Sequence, residues 1–328
     1  MTANKSNFTY MKKIGITLAF TLIITTSVAQ VGIGTKTPDA SAVLEVSAGD
    51  ATVKKGFLPP RLTDTQRNAI TNPVTGLTIY NTTVKCLQFF NGSNWVNACN
   101  GIISIPPGPI SNCSTPGFIA PFITAAQTEI VDVTIGSQTW MDRNLGATTV
   151  ARAVNDCYAY GNLYQWGRAN EGHEWRGSST TTTRATTPIP GSGSNTWDGK
   201  FFIDNGTNPS DWLQTADNNL WQGVNGQNNP CPSGYRIPTY AELLSLIATF
   251  TPNTGINSGF NSPIKFTANG TRSGTNGSFL VVGTEGRYRS STISSGTFTN
   301  QARMNSTSND GLSVTSHASG VGVRCIKN

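Results

Sequence analysis

The chain has 328 residues, of which only 12% are charged and 37% hydrophobic, and its net charge is +6. The 7 Trp, 8 Tyr and 14 Phe supply enough core material to exclude a disordered chain. Basic residues are scattered, with no cluster beyond Lys12-Lys13, so the excess of positive charge does not form a nucleic-acid footprint.

Met11-Lys-Lys13, the apolar run Ile14 to Ile24 and the small-residue site Ser27-Val-Ala29 have the three regions of a secretory signal peptide over residues 1–29, with Met11 as an alternative start. The run is too short to span a bilayer and no second one follows, so a soluble, exported chain beginning at Gln30 is expected. Export favours disulfides for Cys86, Cys99, Cys113, Cys157, Cys231 and Cys325. With no C-x-x-C pair and only two histidines, His173 and His317, a zinc site is not expected.

Residues 30–100 read as a β-rich first module. Ala42 to Val46 is a short strand, Pro59-Pro60 enforces an extended path, and Thr63-Asp-Thr-Gln66 has capping-box spacing for a helix to Ile70. Gly76 to Tyr80 is a strand, and Cys86 to Cys99 is a hairpin turning on Gly92-Ser93. That turn sets Phe90 opposite Trp95 and Cys86 opposite Cys99, close enough to be bridged. Residues 101–127 have the Pro/Gly composition of a linker.

Residues 128–328 form the second domain. Gly136-Ser137 turns a hairpin, Tyr158 to Ala169 is a helix, and residues 178–195 are a long polar loop. Thr239-Tyr-Ala-Glu242 is a capping box whose helix to Phe250 buries Ala241, Leu243, Leu244 and Ile247. Strand candidates follow at Ile264 to Ala268, Phe279 to Gly283, Gly286 to Ser290, Gly311 to Thr315 and Gly322 to Ile326. The expected class is α+β, with two helices early and small antiparallel sheets late.

Val133 to Leu145, Tyr160-Gly-Asn-Leu-Tyr-Gln-Trp-Gly167, Leu220-Trp-Gln-Gly223, Asn229-Pro-Cys-Pro-Ser-Gly-Tyr-Arg-Ile-Pro-Thr239 and Val321-Gly-Val-Arg-Cys-Ile-Lys327 together resemble the Fibrobacter succinogenes major paralogous domain. That family is abundant in exported proteins of the Bacteroidetes and Fibrobacteres, and looks related to the C-type-lectin-like fold of formylglycine-generating enzymes. The resemblance implies a lectin-like second domain in which Cys231 pairs with Cys325, and elimination then leaves Cys113 with Cys157. The first module, through Val31-Gly-Ile-Gly-Thr35, Lys55 to Thr63, Thr75 to Asn81 and Phe90 to Trp95, resembles segments of surface and fibre-like proteins, some similar to phage tail-fibre modules. Such modules are often trimeric, so the resemblance implies a trimer or fibre as an assembly open to this chain.

For chemistry, both histidines lie in polar, turn-like settings with no nucleophile motif and read as solvated surface residues. Acidic residues show no spacing that singles out a catalytic pair. A binding role is favoured by aromatic residues interleaved with amides and carboxylates between Tyr158 and Trp221. Trp140, Trp166 and Trp221 sit within the family motifs and read as core. The ligand-binding set is Trp175, Trp197, Trp212, Asp198, Tyr288 and Arg289, although Arg289 stands where relatives usually carry a Trp. The sugar-lectin calcium tripeptides are missing, leaving Trp197-Asp-Gly-Lys200 and Phe202-Ile-Asp-Asn205 as the only oxygen-ligand candidates for calcium, and no cofactor is expected. The function expected is an extracellular or cell-surface, non-enzymatic binding or adhesion protein for glycans or proteins. The alternatives are a structural fibre subunit and an enzyme of the formylglycine-generating or hydrolytic type.

Overall fold

The computed structural model describes residues 30–48, 56–99, 103–104, 110, 113, 118–191, 197–206, 210–250 and 255–328; the expected signal peptide lies outside them. The chain divides into two compact units at Pro60/Arg61, so the β-rich first module is shared between them. Among the described residues the fold is α+β, with short helices and several small sheets.

In the first unit, β1 (Val31–Ile33) pairs in parallel with β2 (Leu44–Val46), Val31 facing Leu44 and Ile33 facing Val46. The connection is fixed by polar side chains: Asp39 Oδ1 accepts from Ser41 N at 2.8 Å, and Gln30 Nε2 donates to Asp39 O and Ala42 O. Two strands cannot enclose a core, and their apolar side chains are exposed.

The second unit opens with a five-stranded sheet, order β3-β4-β5-β6-β7. β3 (Arg61–Leu62) leads into α1 (Asp64–Asn68), whose capping box is formed by Thr63 and Gln66. β4 (Thr78–Asn81), β5 (Cys86–Phe90), β6 (Trp95–Asn97) and β7 (Ile103–Ser104) then run antiparallel. Phe90 faces Trp95, and Cys86 is bonded to Cys99. The inner face of β5 carries Cys86 and Gln88. Gln88 is buried and bonds Arg67 (2.9 Å), Asn81 (2.9 Å) and Asn97 (2.5 Å), while Asp64 pairs with Arg67 at 3.0 Å. Leu87 and Phe89 consequently point outward.

The remainder starts with β8 (Asp132–Ile135) and β9 (Gln138–Met141), turning on Gly136-Ser137 with Ile135 facing Gln138. β10 (Thr180–Thr181) pairs in parallel with β11 (Phe201–Phe202). β12 (Tyr235–Arg236) leads to α2 (Tyr240–Ala248), capped by Thr239 and Glu242, and then α3 (Gly255–Asn261). β13 (Thr271–Arg272) and β14 (Phe279–Leu280) precede a three-stranded meander of β15 (Gly286–Ser295), β16 (Phe298–Met304) and β17 (Asn309–Ser316). β18 (Gly320–Val321) joins β13, and β19 (Ile326–Lys327) closes the order β12-β19-β9-β8, so the C-terminal strand lies between elements from both ends of the domain.

Two cores result. One gathers Met141, Trp166, Trp197, Trp212, Trp221 and Val323; the other packs α2 residues Leu243, Leu246 and Ile247 against Trp140, Phe266 and Tyr288. α2 buries Tyr240 and Leu246 where the sequence suggested Ala241 and Leu244. Cys113–Cys157 and Cys231–Cys325 are bonded, completing three disulfides with no free cysteine.

Three expected elements are absent, among them the strand Gly322 to Ile326, whose residues 323–325 fall between β18 and β19. In place of a helix over Tyr158 to Ala169 there is a single 3₁₀ turn, Cys157–Ala159, capped by Asp156. Gly161 stops it: its φ is +67°, and a Cβ there would lie 2.5 Å from Leu145 O. The chain then runs extended, with Tyr164 bridging Val321. Ile264 to Ala268 is not a strand either, because its amides turn to loop carbonyls: Phe266 N donates to Gly259 O and Ala268 N to Val154 O.

The Cys231–Cys325 bond closes a 94-residue separation. Replacing both residues with Ala should lower unfolding free energy by about 4–5 kcal/mol on the chain-entropy model, read from urea unfolding followed by tryptophan fluorescence. An unchanged midpoint would show that the closure does not restrain the unfolded chain.

Candidate functional site and assembly surface

The feature that most departs from an ordinary soluble surface is the apolar area of the N-terminal region. In the first unit Val31, Ile33, Val43, Leu44, Phe57 and Leu58 are all exposed, Val43 at 79% and Phe57 at 70%. In the five-stranded sheet, Leu87 and Phe89 stand on the outer face with Tyr80 opposite Leu87 and Val96 opposite Phe89. Isolated apolar residues on a surface are normal, but a series along adjacent strands marks an interaction face. On the inner side the amides of Gln88, Asn81 and Asn97 lie with buried Ile79, Cys86 and Trp95, while Leu87 and Phe89 stay on the outside.

In the second domain the six expected ligand residues separate. Trp175 remains accessible, 37% exposed and 5.8 Å from the Phe122 ring, and the half-buried Asp198 accepts from Gly191 N at 2.8 Å. The other four are corrected to interior positions. Trp197 and Trp212 pack 5.6 Å apart with Arg168 against both, and Trp212 Nε1 donates to Trp166 O. Tyr288 is enclosed, its hydroxyl bonded to Thr267 N at 2.7 Å and Thr267 O at 3.0 Å. Arg289 is also enclosed and donates to Thr299 Oγ1, Ser316 O and Ser319 O, with burial pushing its pKa down to about 9. The long polar loops fold inward because interior amides satisfy their backbone: Gln165 Nε2 donates to Phe202 O and Ala318 O.

Both histidines are buried, correcting their expected surface placement. His173 Nε2 accepts from Gln165 N at 3.1 Å, so the ring proton resides on Nδ1, 2.5 Å from Glu171 Oε1 and 3.3 Å from Glu174 Oε2. Glu171, His173 and Glu174 lie close enough to hold a metal ion. Their donors are committed, however: Nδ1 carries a proton, and Arg168 supplies the positive charge at 2.5 Å from Glu171. The cluster therefore fits a closed charge network rather than a cation site. His317 stacks on Trp166 at 4.4 Å and pairs with Asp211 at 3.0 Å. Its Nε2 is buried without a hydrogen-bond partner among the described residues, so none of them places a hydroxyl or a thiol there for activation. In the calcium candidates, Asp198 and Asp204 carboxylates accept turn bonds from Gly191 N and Gly206 N.

With this geometry in hand, the comparisons bear on the N-terminal region alone. A family model described as "Phage tail like trimerisation region" matches residues 32–112, less than half of the chain. The match indicates a structural, homo-oligomeric role for that segment, which coincides with the exposed apolar surface. No curated protein and no solved structure matches the chain. Among the described residues no helix is long and apolar enough to cross a membrane.

Burial acts to raise the Glu171 carboxyl, but His173 and the Arg168 guanidinium outweigh it and hold the group at about 2, against an ordinary 4.5. Because the folded value lies below the unfolded one, the stabilisation is complete above pH 4.5 and is lost as the pH falls toward 2. Glu171→Gln should remove about 2 kcal/mol of the loss of stability between about pH 6 and about pH 3, measured by urea unfolding at those two values. Equal losses in the variant and the parent would place the acid sensitivity elsewhere.

Proposed function

We propose that this is an exported, non-enzymatic structural protein that assembles through its N-terminal region as a homotrimer, in a surface or fibre-like setting. Its second domain, read as a lectin-like paralogous domain, is thereby displayed to glycan or protein ligands. The observation that carries the reading is the coincidence of the trimerisation match with strands whose apolar side chains face outward. An isolated two-stranded ladder is marginal in water, and burying exposed side chains of this size contributes about 25 cal/mol per Å² of apolar area. A second and third copy of the same chain provide that cover, as expected of a segment similar to a trimerisation region.

The signal-like N-terminus supports export, and three disulfides suit an oxidising compartment. Bridging of all six cysteines supports the non-enzymatic reading by leaving no thiolate for formylglycine-type chemistry.

Light scattering on the secreted chain should give three times the monomer mass, and negative-stain microscopy should show discrete trimers or fibres built from them. The double variant Leu87→Asp/Phe89→Asp, on an exposed face, should reduce the mass toward that of one chain while its thermal unfolding stays cooperative. A parent protein that is monomeric at micromolar concentration would overturn the assembly reading.

A further inference from the structure

A second surface feature is independent of assembly. A cavity of about 370 Å³ lies in the second unit between the Cys113–Cys157 disulfide, the Phe118–Ala120 segment, Tyr160, Arg176 and the chain following β14. Its volume falls in the range of small-molecule sites. Phe279 and Val282 on one rim and Ile119 on another are each exposed by more than a third, so apolar walls are presented to solvent.

Arg176 supplies the polar focus. Its guanidinium lies 5.3 Å from the Tyr160 ring centre and 5.9 Å from that of Phe279. Nε donates to Gly161 O at 2.9 Å and Nη2 to Asn269 O at 2.8 Å, which fixes the plane of the group. Nη1 has no protein partner among the described residues, and no carboxylate pairs with Arg176. Arg143, Arg152, Arg168, Arg236, Arg287 and Arg303 each pair with an Asp or Glu, whereas Arg176 shares the lack of a carboxylate partner among the described residues with Arg272, Arg289 and Arg324 and differs from them in lining an open cavity. Burial lowers the Arg176 pKa to about 10, which leaves the group charged at neutral pH.

A half-buried, oriented cation between aromatic rings, with one nitrogen left without a protein partner among the described residues, favours an anion. The geometry points to a binding site for a small carboxylate carried on a flat apolar body, with the carboxylate on Arg176 Nη1 and the apolar part against Phe279, Val282 and Ile119. A bare anion would leave those walls wet, and a neutral apolar molecule would leave Arg176 unpaired.

The test is isothermal titration calorimetry of the full secreted chain with 3-phenylpropionate, its neutral isostere 3-phenylpropan-1-ol, and acetate. The acid should bind saturably at one per chain and at least about tenfold more tightly than either control. Arg176→Gln should abolish that preference. Val282→Asp, on the exposed rim, should weaken the acid by a similar factor and remains decisive if Arg176→Gln fails to fold. Equal affinity for acid and alcohol, equal affinity for acid and acetate, or no saturable binding by about 10 mM would each overturn the proposal. Light scattering on the same samples reports assembly separately, and Leu87→Asp/Phe89→Asp should bind the acid as the parent does.

Discussion

The second domain has few long strands, and this sets its central physical problem: an irregular chain buried in a core brings carbonyls and amides that no ladder satisfies. Several of its strands, including β10 to β14, are only two residues long. Interior side chains take over the work of a sheet. Asn144 Nδ2 donates to Ala159 O and Tyr160 O, Asn228 Nδ2 to Gly167 O and Pro188 O, and Arg324 Nη1 to Met141 O and Ile264 O. Each of these amides or guanidiniums ties together segments far apart in sequence. An unsatisfied buried carbonyl costs about 1–3 kcal/mol, so loss of one such side chain removes two or more restraints at once.

The same need explains why charge enters the interior as arginine. A planar fork of five donors can serve several carbonyls from one position, which a lysine ammonium cannot do with fixed geometry. Arg168, Arg289 and Arg324 are fully enclosed, and burial lowers all three pKa values, yet each spends its donors on carbonyls, hydroxyls or amide oxygens. Only Arg168 also has a full carboxylate partner, in Glu171. Arg176 follows the same pattern with two of its nitrogens and departs from it with the third, which faces the cavity.

Where local chemistry decides the outcome, the sequence was readable. The capping boxes at Thr63 and Thr239, the turn at Gly136-Ser137 and the Phe90/Trp95 register depend on neighbouring residues alone, and all four are found. Where the interior is polar or aromatic, periodicity carries no signal. β16 buries Thr299 and Gln301, so no apolar alternation announces it. Trp197 and Trp212 lie in polar stretches that look solvent-facing, yet their loops fold over the core because Gln165 and Arg168 satisfy the enclosed backbone. His173 and His317 misled in the same way: their polar neighbours are buried partners, not signs of water. Nothing in the sequence distinguished Arg176 from the other arginines, since its place on the cavity wall depends on residues brought together only by folding.

The two parts of the chain thus resolve polarity in opposite ways. The second domain buries most of its aromatics together with Arg168, Arg289 and Arg324, and is closed by a disulfide that ties the C-terminal segment to the stretch before α2. The N-terminal strands hide Gln88, Asn81 and Asn97 and turn Leu87 and Phe89 outward. In a monomer Leu87 and Phe89 stay hydrated, and only the inner side, where Ile79, Cys86 and Trp95 are buried with the amides, gains from burial. In an assembly the terms change: the hydrocarbon is removed from water between copies, and the amide network inside each sheet holds the register that keeps those side chains aligned. Stability of the second domain is therefore local to one chain, whereas that of the N-terminal strands is a property of several.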